Sequence, residues 1–320
     1  MKLSLIIFAV LAVIAGLVMS LIWPRALETK KVFVSANQTI ADVLKNDFKE
    51  QGFLVGVANI FKTNETVKEG WYNLIGNKFS IITLWNYFSR QQAPQEIEVR
   101  LIEGKSSAEY FKILETAGIA NASELQSVWK NSPAEWSAKY EILKGWPKGI
   151  GLEGLLAPDT YRFYAKAKPA DVIEKLVAQS EKNWQSLNVK NSSILEIYTL
   201  ASIVEAEAAT AEDRRLVAGI FWDRLKYNIA LQADSTVNFI TGKNTPNVST
   251  ADTKINSLYN TYKYKGLPPG PINNPSQDAL QAAARPSASP YLYFFSTKDG
   301  TIIYSRTFVE HQANRVKYGI

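Results

Sequence analysis

The sequence predicts an α+β protein carried on a single N-terminal transmembrane helix. Three observations lead there. Leu3 to Pro24 contains no charged residue and is almost wholly apolar. Two stretches, Lys31–Ser35 and Ile97–Leu101, alternate at strand spacing, and helical periodicity follows each. The region after about residue 180 is richer in helix signals and closes with a hairpin pattern.

The apolar segment comes first. At 1.5 Å rise per residue it reaches roughly 33 Å, enough for the ~30 Å hydrocarbon core. Trp23 stands at its far end, where an interfacial aromatic belongs. Only Lys2 precedes the run, and no Ala-x-Ala site precedes the next charge, so an anchor is favoured over a cleaved signal peptide. Charge does not settle its orientation. Arg25, Lys30 and Lys31 follow the span, yet long domains translocate largely regardless of flanking charge. No later apolar stretch approaches about 18 residues, so one span is expected.

The body begins with the strand KVFVS. Thr39 caps a helix from Ile40, and Asp42 completes a capping box of the shorter acid. That helix runs to Gly52. The cassette recurs at Ile97–Leu101: strand, polar turn Glu103–Ser106, and a helix through Glu109, Tyr110 and Leu114 ending near Gly118. A second echo follows each copy. Glu69-Gly70-Trp71-Tyr72 precedes the helical TLWNYFSR, and Asp159-Thr160-Tyr161-Arg162-Phe163 precedes the helical ADVIEKLVAQ. Two related α+β units are expected, at about 31–92 and 95–180, divided near Gln91–Pro94. Asp159–Phe163 reads as a structural corner.

Farther on, Ile194–Glu207 is apolar with a carboxylate-bearing end. Glu212–Tyr227 is amphipathic, with Leu216, Ile220, Phe221 and Leu225 at helical spacing. Gly266-Leu267-Pro268-Pro269-Gly270-Pro271 can be neither helix nor central strand and makes a rigid loop. Ser276 caps the helix of Asp278–Ala284. Tyr291–Phe295, the turn Lys298-Asp299-Gly300 and Thr301–Tyr304 form a hairpin.

Composition removes several chemistries. The chain has 320 residues and no Cys, which excludes disulfides, thiolate metal sites, thiol nucleophiles and a lipid-modified cysteine. Its one His, His311, excludes multi-imidazole zinc sites, and its place near the C-terminus suits a surface residue. No phosphate-cradling loop or dinucleotide fingerprint is present. The net charge of +6 allows a nucleic-acid partner without requiring one, and an anionic polymer fits equally well.

Carboxylates, Tyr, Asn and hydroxyl groups remain. Glu205 follows LASIV and so enters apolar surroundings. Burial there disfavours the charged form, and a proton-donating acid needs such a place. Against this, most helical Glu residues face water, as Glu212 should. Glu207 faces a different side of the helix. Gln232 and Asp234 lie in the compact polar segment LQADSTV, which could equally be a loop bonding its own backbone. Tyr259 and Asn260 precede the rigid loop. Rings stack on sugar faces and amides bond hydroxyls, while ordinary packing is the plain alternative.

Taken in order, EGLLAPDTYRF (153–163), ASIVEAEA (201–208), LQADSTVNF (231–239), YNTY (259–262), GLPPGPINNP (266–275) and AAARPSASPYLYF (282–294) resemble the YceG-like family of endolytic murein transglycosylases. The resemblance implies a transmembrane anchor at 1–24 with a short cytoplasmic N-terminus. It implies a LysM-like domain at 25–94 and a catalytic domain at 95–320, subdivided at 180. It makes Glu205 the essential acid and leaves Gln232, Asp234, Tyr259 and Asn260 as substrate-binding candidates. The implied reaction cuts the β-1,4 bond between MurNAc and GlcNAc of nascent peptidoglycan and forms a 1,6-anhydro end, with no cofactor and no metal. The implied partners are glycan strands, the membrane and penicillin-binding peptidoglycan synthases, with no nucleic acid. The implied location is the cytoplasmic membrane, with the catalytic domain outside. The chain departs from the family pattern at Phe239, commonly Tyr, at Ala208, commonly Thr, and at Asn273 and Ser276, commonly small.

Overall fold

A computed structural model describes residues 25–26, 30–35, 37–47, 66–74, 78–90, 96–189, 192–243, 245, 248–297 and 299–319. The expected anchor, the Gly52 helix end and the Gln91–Pro94 boundary lie outside these residues. Among the described residues no helix is long and apolar enough to cross a membrane. The chain is mixed α+β and divides into two compact units, Met1–Ile97 and Glu98–Ile320.

In the first unit, β1 (Arg25–Ala26), β2 (Lys30–Val34), α1 (Ile40–Asp47), β3 (Gly70–Leu74), β4 (Lys78–Phe79) and α2 (Ile81–Arg90) follow in order. β2 and β3 are antiparallel, with Lys30 opposite Leu74 and Val34 opposite Gly70. β1 pairs antiparallel with β4. The alternation in KVFVS buries Val32 and Val34 on one face, as a period of two requires. The expected box at the start of α1 is present. Thr39 Oγ1 accepts the Asp42 N–H at 3.2 Å, and the Asp42 carboxylate accepts the Thr39 N–H at 2.8 Å. Ile40, Val43 and Leu44 then face Val32, Val34, Tyr72, Leu84 and Phe88 in one core. The Tyr72 and Phe88 rings meet edge to face at 4.9 Å.

After the first unit, two strands enclose a run of three helices. β5 (Glu96–Leu101) pairs with β6 (Asp159–Tyr164). Between them lie α3 (Ser107–Thr116), α4 (Ala122–Lys130) and the short α5 (Trp136–Lys139), and α6 (Pro169–Leu187) follows. A full capping box of Ser106 and Glu109 starts α3. The segment 159–163, expected as a corner, is instead part of strand β6, because it pairs with β5; the buried Tyr161 hydroxyl ties its start to the Ala157 carbonyl at 2.7 Å.

The remainder is α7 (Ile194–Glu207), α8 (Ala211–Lys226), α9 (Asp234–Thr241), α10 (Gln277–Ala284), the hairpin β7 (Tyr293–Ser296) with β8 (Ile302–Ser305), and α11 (Phe308–Tyr318). Every residue from Ile197 to Val204 is buried, so α7 is the central helix, with α8 and α10 packed on it. His311, expected as a surface residue, is half-buried. Its ring lies 5.6 Å from those of Tyr293 and Phe295, and burial pulls its pKa down.

Candidate active site

The centre of the site is the last turn of α7. Glu205 is enclosed by its own partners, and its side chain is only 4% exposed. Arg214 of α8 donates from Nη2 to Oε1 at 2.6 Å. Ser276 donates its backbone N–H to Oε2 at 2.9 Å, and its hydroxyl bonds the same oxygen. The apolar setting expected from LASIV holds for Ile203 and Val204 beneath, but the carboxylate itself meets a cation and two donors.

The glycine- and proline-rich loop brings Ser276 there. Ile272 N–H donates to Ser202 Oγ at 3.0 Å, and Asn273 Nδ2 donates to the Ser202 carbonyl at 2.8 Å, one turn before Glu205. Asn274 ties in the other side. Its Oδ1 accepts the Leu156 N–H, and its Nδ2 donates to the Lys105 carbonyl, each at 3.0 Å. Its main chain exchanges bonds with Gly104 and Lys105 at 2.9 and 3.0 Å. Gly104 has φ +73°, and a Cβ there would stand 3.5 Å from Cγ of Glu205. Gly154, at φ +85°, faces the Pro271 ring so closely that a Cβ would fall 2.5 Å from it. Beside it the buried Glu153 accepts the Ser107 N–H at 3.0 Å. Burial pushes its carboxyl up to about 7, against the pull of the Ser107 bonds.

The remaining candidates form a second group. Glu207 reaches from α7 to α9, accepting Ser235 Oγ at 2.8 Å, and burial raises its pKa. Beside Ser235, Asp234 accepts the Tyr262 hydroxyl. Burial, then the neighbouring Asp234, holds that hydroxyl in its protonated form. Gln232 has a left-handed backbone, φ +49°, fixed by its N–H on the Thr261 carbonyl, and an exposed side chain. Tyr259 is half-buried, its ring 4.9 Å from that of Phe239, and burial, then the charge of Glu153, raises its pKa.

Asn260 has a different job from the one expected. It is 0% exposed. Its Nδ2 donates to the Thr253 and Ile255 carbonyls at 3.0 and 2.9 Å, and its Oδ1 accepts the Tyr262 N–H at 3.1 Å. The amide is consumed in shaping its own loop. Arg214 was not among the residues singled out from sequence. Neither was Arg224, whose guanidinium joins the Leu231 and Leu292 carbonyls at 2.7 Å each. No motif marks either one; Arg214 lies nine positions from Glu205, across the turn between two helices. Among the described residues, no three acidic or imidazole groups are placed to share a metal ion.

Fold and site together define a mixed α+β protein built around one enclosed, ion-paired glutamate. The chain belongs to the YceG-like family, which it matches over residues 32–317. A stretch of 172 residues is 37% identical to the endolytic murein transglycosylase of Bacillus subtilis (strain 168), covering 52% of this chain and 48% of that protein. A stretch of 173 residues is 36% identical to the protein of the same name from Streptococcus pneumoniae, covering 51% of this chain and 31% of that protein. The chain thus spans half or less of the length of these curated relatives. A crystal structure of a YceG-like protein from Listeria monocytogenes superposes with TM-score 0.59 at 26% identity, covering 90% of this chain and 100% of that one.

Proposed function

We propose that this protein is an endolytic lytic transglycosylase of peptidoglycan, with Glu205 as acid and then base. The observation that carries the reading is the convergence on Glu205. Segments around 104, 156, 202, 214 and 274–276 are bonded into one frame about that carboxylate. The names of the relatives supply the substrate class.

In the reaction, Glu205 gives its proton to the oxygen of the β-1,4 bond between MurNAc and GlcNAc. That bond breaks through an oxocarbenium-like state, and the GlcNAc hydroxyl leaves. The Glu205 carboxylate then takes the proton of the C6 hydroxyl of the same MurNAc. The freed oxygen closes onto C1 and leaves a 1,6-anhydro end. No water adds, so one carboxyl serves both steps. Gln232, Asp234 and Tyr259 orient the sugars, and Asn260 acts through the loop that it shapes. Residues 1–24 anchor the chain in the cytoplasmic membrane and the 25–94 unit is LysM-like, with the body outside the cell or in the periplasm. There it limits strand length beside penicillin-binding synthases.

The test is the product of purified protein on glycan strands. Wild type should give ends lighter by one water than hydrolytic ends, and Glu205→Gln should fold, bind glycan and give none. Anhydro ends from E205Q would sink the assignment. Reducing MurNAc ends from wild type would make water the acceptor, and binding without turnover would make the protein a glycan-holding scaffold.

A further inference from the structure

We propose that Arg214 is the specificity residue of this site: it takes up a carboxylate of the glycan substrate and thereby releases Oε1 of Glu205. The inference rests on the reading of Glu205 as the acid. As the site stands, both Glu205 oxygens are occupied and the side chain is almost enclosed. One partner must leave before a glycosidic oxygen can reach the carboxyl. The Ser276 bonds are fixed by backbone and by the start of α10. Arg214 is held by a flexible side chain.

The three ends of the guanidinium are unequally bound. Nε donates to the Ala208 carbonyl at 3.1 Å and gives a pivot at the end of α7. Nη2 holds Glu205 at 2.6 Å. Nη1 lies 4.0 Å from Asp278 Oδ2, beyond hydrogen-bond reach, and the Asp278 side chain is 61% exposed. The fork therefore already faces a second carboxylate position, loosely filled and open to solvent. Guanidinium geometry suits two-point capture of a carboxylate. Arg214 itself is 13% exposed, and a desolvated cation does not give up one anion without gaining another. Apart from Asp278, the neighbouring charges Asp213 and Lys105 are engaged elsewhere. Asp213 is engaged by the Tyr304 hydroxyl at 2.6 Å and by Thr210, and Lys105 is paired with Glu109 at 2.9 Å. Such a gate opens for an acidic saccharide and stays shut for a neutral one.

The carboxylate has two sources in peptidoglycan: the lactyl group of a peptide-free MurNAc, or an acidic group of a stem peptide. The full-length protein should be assayed on three glycans: peptide-bearing, peptide-free, and peptide-free with the lactyl carboxylates reduced to alcohols. Wild type should prefer a carboxylate-bearing glycan over the reduced one by at least about tenfold in kcat/KM, the scale of one charge-assisted pair. The better of the first two identifies the source. Arg214→Gln should be slower on the two carboxylate-bearing glycans and no slower on the reduced one, so that the preference collapses toward one, and Arg214→Lys should keep part of it. General damage to the fold lowers rates without erasing the ratio. A wild type without preference, or an R214Q protein that keeps it, overturns the proposal. An active E205Q protein instead overturns the reading beneath it.

Discussion

Ser276 gives Glu205 two hydrogen bonds, from its backbone N–H and from its hydroxyl, both to the same carboxylate oxygen. The same hydroxyl accepts the Ala279 N–H at 3.1 Å and caps α10. Ser276→Ala removes the cap and the hydroxyl bond together. A lost cap costs about 1 kcal/mol, and a lost bond to a charged group about 1.5–3 kcal/mol. Thermal unfolding should register a loss of about 2.5–4 kcal/mol, and turnover of glycan should fall about tenfold. Ser276→Thr should restore most of both, since it keeps the hydroxyl. An S276A protein of wild-type stability and rate would show that the contact does nothing.

The pH response of stability should bear the mark of Glu153, whose pKa rises from 4.5 to about 7 in the fold. A carboxyl raised on folding favours the native state fully below its unfolded value, and the benefit is lost as pH climbs through about 7. By linkage the loss is on the order of 3 kcal/mol. Glu207, also raised by burial, acts in the same direction. Glu153→Gln keeps an oxygen for the Ser107 N–H and cannot ionise. Urea midpoints should place E153Q level with wild type near about pH 4 and above it near about pH 8. Parallel curves for the two proteins would contradict this.

Gly154→Ala should be costly for two reasons that add. Its φ of +85° strains any side chain, and the new Cβ would fall 2.5 Å from the Pro271 ring. Overpacking of this kind costs about 1–3 kcal/mol beyond the backbone strain of about 1 kcal/mol. Because Pro271 leads directly into Ile272 and Asn273, which bond Ser202 of α7, glycan turnover should fall further than stability alone explains. A fully active G154A protein would separate the loop from the site.

Asn260 and Gln232 should behave as opposites. Asn260→Ala strands the groups that its buried amide serves and should cost about 2–4 kcal/mol in chemical denaturation. Gln232→Ala, at an exposed side chain, should stay within about 0.5 kcal/mol of wild type and raise KM for glycan. The reverse ranking would exchange their roles.

What could be read from the sequence was local. The Thr39–Asp42 box spans three positions, the Ser276 cap likewise, and the 293–305 hairpin turns through a glycine at φ +87°. Glu205 was legible because a charge ending a run of buried apolar residues is unusual. Its partners were not. Ser276 is 71 positions away and was visible only as a capping residue and a departure from the family pattern. Arg214 depends on the angle of the turn between α7 and α8, which no spacing rule gives. Asn260 misled because an amide before a rigid loop looks the same whether it faces sugar or backbone, and His311 because chain position says little about burial.

The Asn274 clamp has a consequence for the order in which the protein is made. It joins Lys105 across 169 positions and Leu156 across 118, so the chain must close very long loops before these bonds form. During synthesis, Glu205 and Arg214 emerge and can pair while residues 272–276 are still missing. The carboxylate then lacks its serine, and the frame of 104, 156 and 202 lacks its clasp. Competence therefore comes late and all at once, when the segment through Ser276 docks, and a chain stalled before that point holds the glutamate without the setting that gives it a purpose.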